Sequence, residues 1–310
     1  MLDRRAVILV KDESVYNTDS APVAGTDAIM SEDFTWSFSN SRMHQRKPVR
    51  ATLAAMKPIY AGTLITVSGK TEIKGSGAAG TPPEIAPLMR ASGWGETIVA
   101  STSVTYKPTS TQANIKSSTM YFYDDGLLLK ITGARGKTNV DLPVGSVGYL
   151  MWEFTGHFVS VTDVALPSAT YDSSVPAALL NVPFAADTYA AVIAKLAFDL
   201  GVEIAMPESM AATDGYGEIT LVGRNVTGSF DPARVLKATY DFIGKWQSGA
   251  AMALDTGVIG GTAGNRYQLT MPAFTYVEVG RGNRNNVGTY EMKFAAAESA
   301  GDDEVSLVFT

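Results

Sequence analysis

Residues 75–80 read Gly75-Ser76-Gly77-Ala78-Ala79-Gly80, a literal G-x-G-x-x-G that follows a strand-like run and precedes a helix-like one, with Glu96 downstream. A turn of this kind can set backbone N–H groups against a dinucleotide pyrophosphate. Three features oppose that chemistry. The preceding Lys70-Thr71-Glu72-Ile73-Lys74 is not the continuous apolar run of a buried parallel strand. Pro82 and Pro83 start the helix after the motif, so no helix N-terminus would meet the phosphates. The chain also lacks a βαβ rhythm. A flexible loop is the expectation, and no cofactor.

The two histidines, His44 and His157, lie far apart, there is no cysteine, and no carboxylates stand near either at metal-ligand spacing. No metal is expected; His157 reads as a strand-end residue and His44 as a solvated or interface contact. Carboxylates gather at Asp12-Glu13, Asp124-Asp125 and Asp302-Asp303-Glu304. Asp124-Asp125 precede Gly126 in a hairpin turn, where Asp is favoured for backbone reasons. The acidic run near the C-terminus reads as a turn plus solvated charge. Neither G-x-S-x-G nor a Walker motif occurs. No enzyme emerges from these residues.

One charged feature is left. Arg42, His44, Arg46, Lys47 and Arg50 follow one another with no acid between them. The run lacks the interleaved aromatics of a nucleic-acid groove. Two readings stay open: an arm meeting an acidic surface on a neighbouring subunit, or a solvated loop.

These residues need elements to hold them. The chain has 310 residues, 45% of them hydrophobic, mean hydropathy +0.05 and a formal charge of −6. It is long enough to bury a sizeable core, and its acidity disfavours binding nucleic acid by charge neutralisation. Charged residues are 18%, below the roughly 25% of typical soluble domains, which suggests that part of the surface faces other subunits. No run of 18 apolar residues occurs, so no membrane span is expected. The apolar stretch Ala6–Val10 after the charged start is too short for a signal-peptide core.

The texture is strand-like. Strands are expected at Ala6–Val10, Phe34–Phe38, Thr63–Ile73, Thr138–Leu142, Val147–Phe154, Gly217–Phe230, Ala250–Ile259, Tyr267–Tyr276, Gly288–Phe294 and Glu304–Phe309. Met120–Tyr123 and Leu127–Ile131 form a hairpin through Asp125-Gly126, a pair suited to a type I′ turn. Helices are expected at Pro82–Ser92, at Thr188–Leu200 with Asp187 as cap, and from Asp231-Pro232 to Trp246. About 24 residues separate the second and third strands, an insertion long enough to be functional. A single domain over 1–310 is expected, with this insertion at 37–61. Two related halves, 1–165 and 175–310, are hinted at by ITGARGKT (131–138) and LVGRNVTGS (221–229), each placed at a strand exit.

Several stretches resemble the major tail tube proteins of long-tailed, siphovirus-type bacteriophages. They are Val7-Ile8-Leu9-Val10-Lys11 with Tyr16-Asn17-Thr18-Asp19; Ile73–Thr81; Pro87–Gly93 with Glu96-Thr97; Thr132–Gly136; Phe154-Thr155-Gly156; and Gly301–Glu304. The likeness is strongest in the first 160 residues, and Ser37–Ala61 matches no family motif. It implies a mainly β protein: a tail-tube-type β-sandwich or barrel with flanking α-helices and a long inter-ring loop. It further implies a structural virion protein whose hexameric rings stack into a tube that conducts DNA into the host. The partners implied are other copies of the chain, a tape measure protein and DNA in the lumen, and tail terminator and distal tail proteins at the ends. The location implied is the virion tail, assembled in the bacterial cytoplasm. The alternative is another β-sandwich virion component, such as a baseplate or decoration subunit. On this reading Trp36 and Phe38 begin the inter-ring loop. Arg42, His44, Arg46 and Arg50 contact the adjacent ring, and Val7, Leu9, Leu307 and Phe309 lie in terminal strands that act as arms.

Overall fold

The computed structural model describes residues 5–310; Met1–Arg4, the charged start of the leader reading, lie outside the described residues. The fold is mainly β, with 48% strand and 5% helix, and the strand pairing is antiparallel. The first half contributes β1 (Ala6–Asp12), β2 (Ala28–Ile29), β3 (Glu32–Ser39), β4 (Met43–His44), β5 (Ile59–Tyr60), β6 (Leu64–Glu72), β7 (Trp94–Val99), β8 (Ser103–Pro108), β9 (Ser118–Asp124), β10 (Leu127–Pro143) and β11 (Tyr149–Asp163). The second contributes β12 (Ala185–Ala186), β13 (Lys195–Asp199), β14 (Glu203–Ala205), β15 (Thr220–Gly223), β16 (Thr227–Phe230), β17 (Met252–Ile259), β18 (Tyr267–Arg284), β19 (Val287–Ala297) and β20 (Ser306–Phe309). The helices are α1 (Ala86–Arg90) and α2 (Phe242–Ser248).

The spine is β10, a 17-residue strand with different partners along its length. Its first half pairs β9, and its last residues pair β13, Asn139 opposite Asp199. Its other edge carries β11, which leads through β6 to β3. Beyond β13 the sheet runs through β16, β19 and β18 to β20, β8 and β7. The β9–β10 turn has positive φ at Asp125 (38°) and Gly126 (113°), as a primed turn requires. One buried apolar cluster draws residues from both halves, from Ile8 through Phe154 and Phe198 to Phe309.

Two expected helices are corrected. Thr188–Leu200 is a loop followed by β13, because Leu196 and Phe198 alternate into the core (1% and 3% exposed) while both strand edges are paired. An apolar set that fits a helical stripe also fits this short strand, and sheet pairing overrides local propensity. Asp231 does not open a helix; its carboxylate accepts from the N–H groups of Ala194 and Lys195. The third helix is the shorter α2, capped by Asp241, which accepts from Gly244 N at 2.9 Å, and closed by Gly249 at φ 62°. Strands β7 and β8 had no counterpart in the sequence reading. Residues 131–138 continue mid-strand in β10, whereas 221–229 span a turn between β15 and β16, so only the second lies at a strand exit.

After β6 the chain buries Lys74 and Glu84, whose side chains are 3% and 6% exposed and 3.3 Å apart. Burial raises the Glu84 carboxyl above its ordinary 4.5, against the Met30 N–H and the Lys74 ammonium, which lower it. Folding therefore favours the protonated acid. Its support is full below the unfolded pKa and is lost as pH rises through the folded one. Glu84→Gln should remove that decline. Urea unfolding between about pH 4 and 7 should show the variant gaining on the parent as pH rises.

Candidate functional site

The projecting feature grows from the β3–β6 hairpin. Trp36 lies opposite Val67 and Ser39 opposite Leu64, and β4 and β5 continue the hairpin outward with His44 opposite Ile59. Beyond them every residue from Gln45 to Ala55 is exposed, in no regular element. Val49 and Leu53 protrude completely (105% and 108% exposed). Residues 37–61 hold Arg42, Arg46, Lys47, Arg50 and Lys57 and no acid; this +5 leaves −11 on the rest of a chain whose total is −6. A segment with cations and large apolar side chains in water, on an acidic body, is built to be covered.

The root of this arm is held by the 206–219 segment. Arg42 donates to Tyr216 Oη at 2.9 Å, lies 4.0 Å over the Tyr216 ring and pairs with Glu208 at 3.0 Å. Tyr216 Oη donates to Asn40 O at 2.6 Å. A side chain at Gly62 would strike the Asp214 carbonyl, so the close approach of the two segments needs glycine there. Arg42→Ala is expected to make local opening of the arm root easier by about 1 kcal/mol and so to speed proteolysis within 45–58, while the core melts as before. Limited proteolysis beside a urea melt measures both.

The sequence-derived contact residues divide into four groups. Trp36 and Phe38 stand 41% and 48% exposed on β3, edge to face with each other at 5.8 Å, and Phe38 meets Phe158 at 5.3 Å. Among the described residues β3 pairs only with β6, so its outer edge is open beside them. His44, Arg46 and Arg50 are exposed on the arm; Arg50 reaches back to Thr52 Oγ1 and Ala54 O. No ion pair involves Arg46, Lys47, Arg50 or Lys57 among the described residues. Arg42 is different: it is spent within the chain. Val7, Leu9, Leu307 and Phe309 are corrected outright, being 5%, 1%, 0% and 3% exposed. Their strands are interior to the sheet, β1 between β2 and β9 and β20 between β18 and β8, so they cannot act as free arms.

A second constellation escaped sequence reading. His157, mid-strand in β11 and not at its end, accepts or donates at both ring nitrogens: Nδ1 to Asp214 Oδ2 at 2.6 Å and Nε2 to Tyr16 Oη at 3.0 Å. Tyr16 Oη also accepts from Ile219 N at 2.7 Å. Burial first of all pushes the tyrosine up to about 12, so it stays a neutral phenol near pH 7. With His157 only 5% exposed, the line works as a tie between the N-terminal segment and the segment that holds the arm root. Its members lie 141 and 57 residues apart, so spacing gave no signal.

The G-x-G-x-x-G loop has a packing explanation. A Cβ at Gly75 would lie 2.2 Å from Gly264 O, and the Gly75 N–H donates to Asn265 Oδ1. The helix that follows starts only at Ala86. Among the described residues no group of three or more His, Asp or Glu side chains is placed to hold a metal, and no helix is long and apolar enough to cross a membrane. No family model matches the chain, and no curated protein matches it.

Proposed function

We propose that this chain is a structural subunit of a phage-type tail tube, a tail-tube-type β-sandwich or barrel whose copies form hexameric rings that stack into a DNA-conducting virion tail. The single observation that carries the reading is the arm: a basic, apolar hairpin extension, fully exposed at its tip, on an acidic β body. The open β3 edge with Trp36 and Phe38 supports lateral pairing between copies, which would cover an otherwise exposed ladder. The sequence resemblance supplies the class of assembly, its lumenal DNA and tape measure partners and its end proteins. The net negative body suits a lumen along which DNA slides.

The test is sedimentation velocity of the full chain over a range of concentrations at low and high salt. Assemblies that grow with concentration and weaken with salt are expected, since arm and body carry opposite charge. A monomer at every concentration would contradict the proposal.

A further inference from the structure

The arm leaves one end of the β3–β6 hairpin, and a groove of about 430 Å3 lies by the other. The nine residues of β6 separate Leu64, at the arm root, from Lys74, just past its far end; at about 3.3 Å per residue that is roughly 30 Å. Glu84, in the groove wall, pairs with Lys74 and accepts from Met30 N, two residues before β3 begins. The groove has an apolar floor that includes Ile29, Pro83 and Pro87, and carboxylates at Asp27, Glu84 and Asp172.

Its cations are already engaged. Arg90 is held by Asp12 and Glu96, each at 2.6 Å, and Lys74 is buried against Glu84 and the Asp172 carbonyl. Glu84 Oε2, in the groove wall, is buried against Lys74 Nζ at 3.3 Å, and Asp12 Oδ1, beside Arg90, is buried with no hydrogen-bond donor. A buried carboxylate oxygen without a donor carries a desolvation cost that an incoming cation relieves.

We propose that this groove receives the arm tip, Arg46 to Leu53, of a second copy of the chain. The inference rests on the self-assembly reading and adds the receiving surface to it. Charge complementarity picks the occupant: a segment with cations and no acid meets carboxylates around an apolar floor, and Val49 and Leu53 are the apolar side chains that protrude fully from it. Because donor and acceptor surfaces sit at opposite ends of one hairpin, each bound copy presents a fresh groove or arm. Such a heterologous contact builds an open stack when the rotation between successive copies does not close it into a ring.

The test uses two full-length variants. Arg46→Glu with Arg50→Glu disables the arm; Thr26→Lys with Thr170→Lys places cations at exposed groove positions and leaves the buried pairs intact. Neither variant alone should stack, with association at least roughly tenfold weaker than the parent. An equimolar mixture should give a species twice the mass of either component and no larger, because one intact arm meets one intact groove. In the cysteine-free chain, Leu53→Cys and Thr26→Cys in separate copies should cross-link on oxidation. A groove variant that stacks like the parent, or a mixture that yields no such species, would overturn the groove while leaving self-assembly standing. A parent chain that never associates would overturn both.

Discussion

Excising residues 45–58 and closing β4 onto β5 with a short glycine turn is expected to give a folded chain that no longer assembles. Everything from Gln45 to Ala55 is exposed, so the deletion removes no core residue, and the hairpin beneath keeps its pairing at Met43–Tyr60 and His44–Ile59. Losing two or three central contacts of an interface costs at least about 3 kcal/mol, more than a hundredfold in association. Circular dichroism and a urea midpoint matching the parent, together with a monomeric sedimentation profile, would meet the expectation. Normal assembly by the deleted chain would remove the arm from the account.

Arg135→Ala should be the most damaging point change outside the apolar core. The guanidinium is 6% exposed and bonds Ile219 O at 2.6 Å, Glu218 Oε1 at 2.8 Å and the carbonyls of Ile115 and Lys116 at 3.3 Å. It also lies 5.0 Å from the centre of the Tyr16 ring. Truncation leaves buried carbonyls without donors, and the loss should be about 3–5 kcal/mol. Because Ile219 also donates to Tyr16, the 206–219 segment and the arm root should loosen before the sheet does. Hydrogen exchange would show Tyr216 and Ile219 losing protection ahead of Leu129 and Phe154. Arg135→Lys, which keeps the charge without the fork, should recover only part of the stability.

Sequence patterns were informative where one local rule acted alone. The β9–β10 hairpin follows from the aromatic run Tyr121-Phe122-Tyr123 and Asp125-Gly126, and the exposed run 45–55 follows from cations and Pro48 without a periodic apolar face. They failed where distant pairing decided the outcome. Lys195–Asp199 becomes a strand because β10 and β16 flank it, and those partners lie some fifty residues before it and thirty after. The terminal strands were legible as strands but not as interior ones, since burial of Leu9 and Leu307 depends on neighbours far along the chain. The tie through Tyr16, His157 and Asp214 was invisible for the same reason. Arg42 looked like its neighbours in sequence and differs only because Tyr216 and Glu208 reach it.

Negative-stain electron microscopy of the purified full-length chain, taken up to the concentration at which sedimentation first shows large species, decides whether the chain builds a tube. Six-fold rings and hollow tubes built by stacking them are expected, with tubes shortening as salt is raised. Closed particles of another symmetry, without a lumen and without growth along an axis, would contradict it.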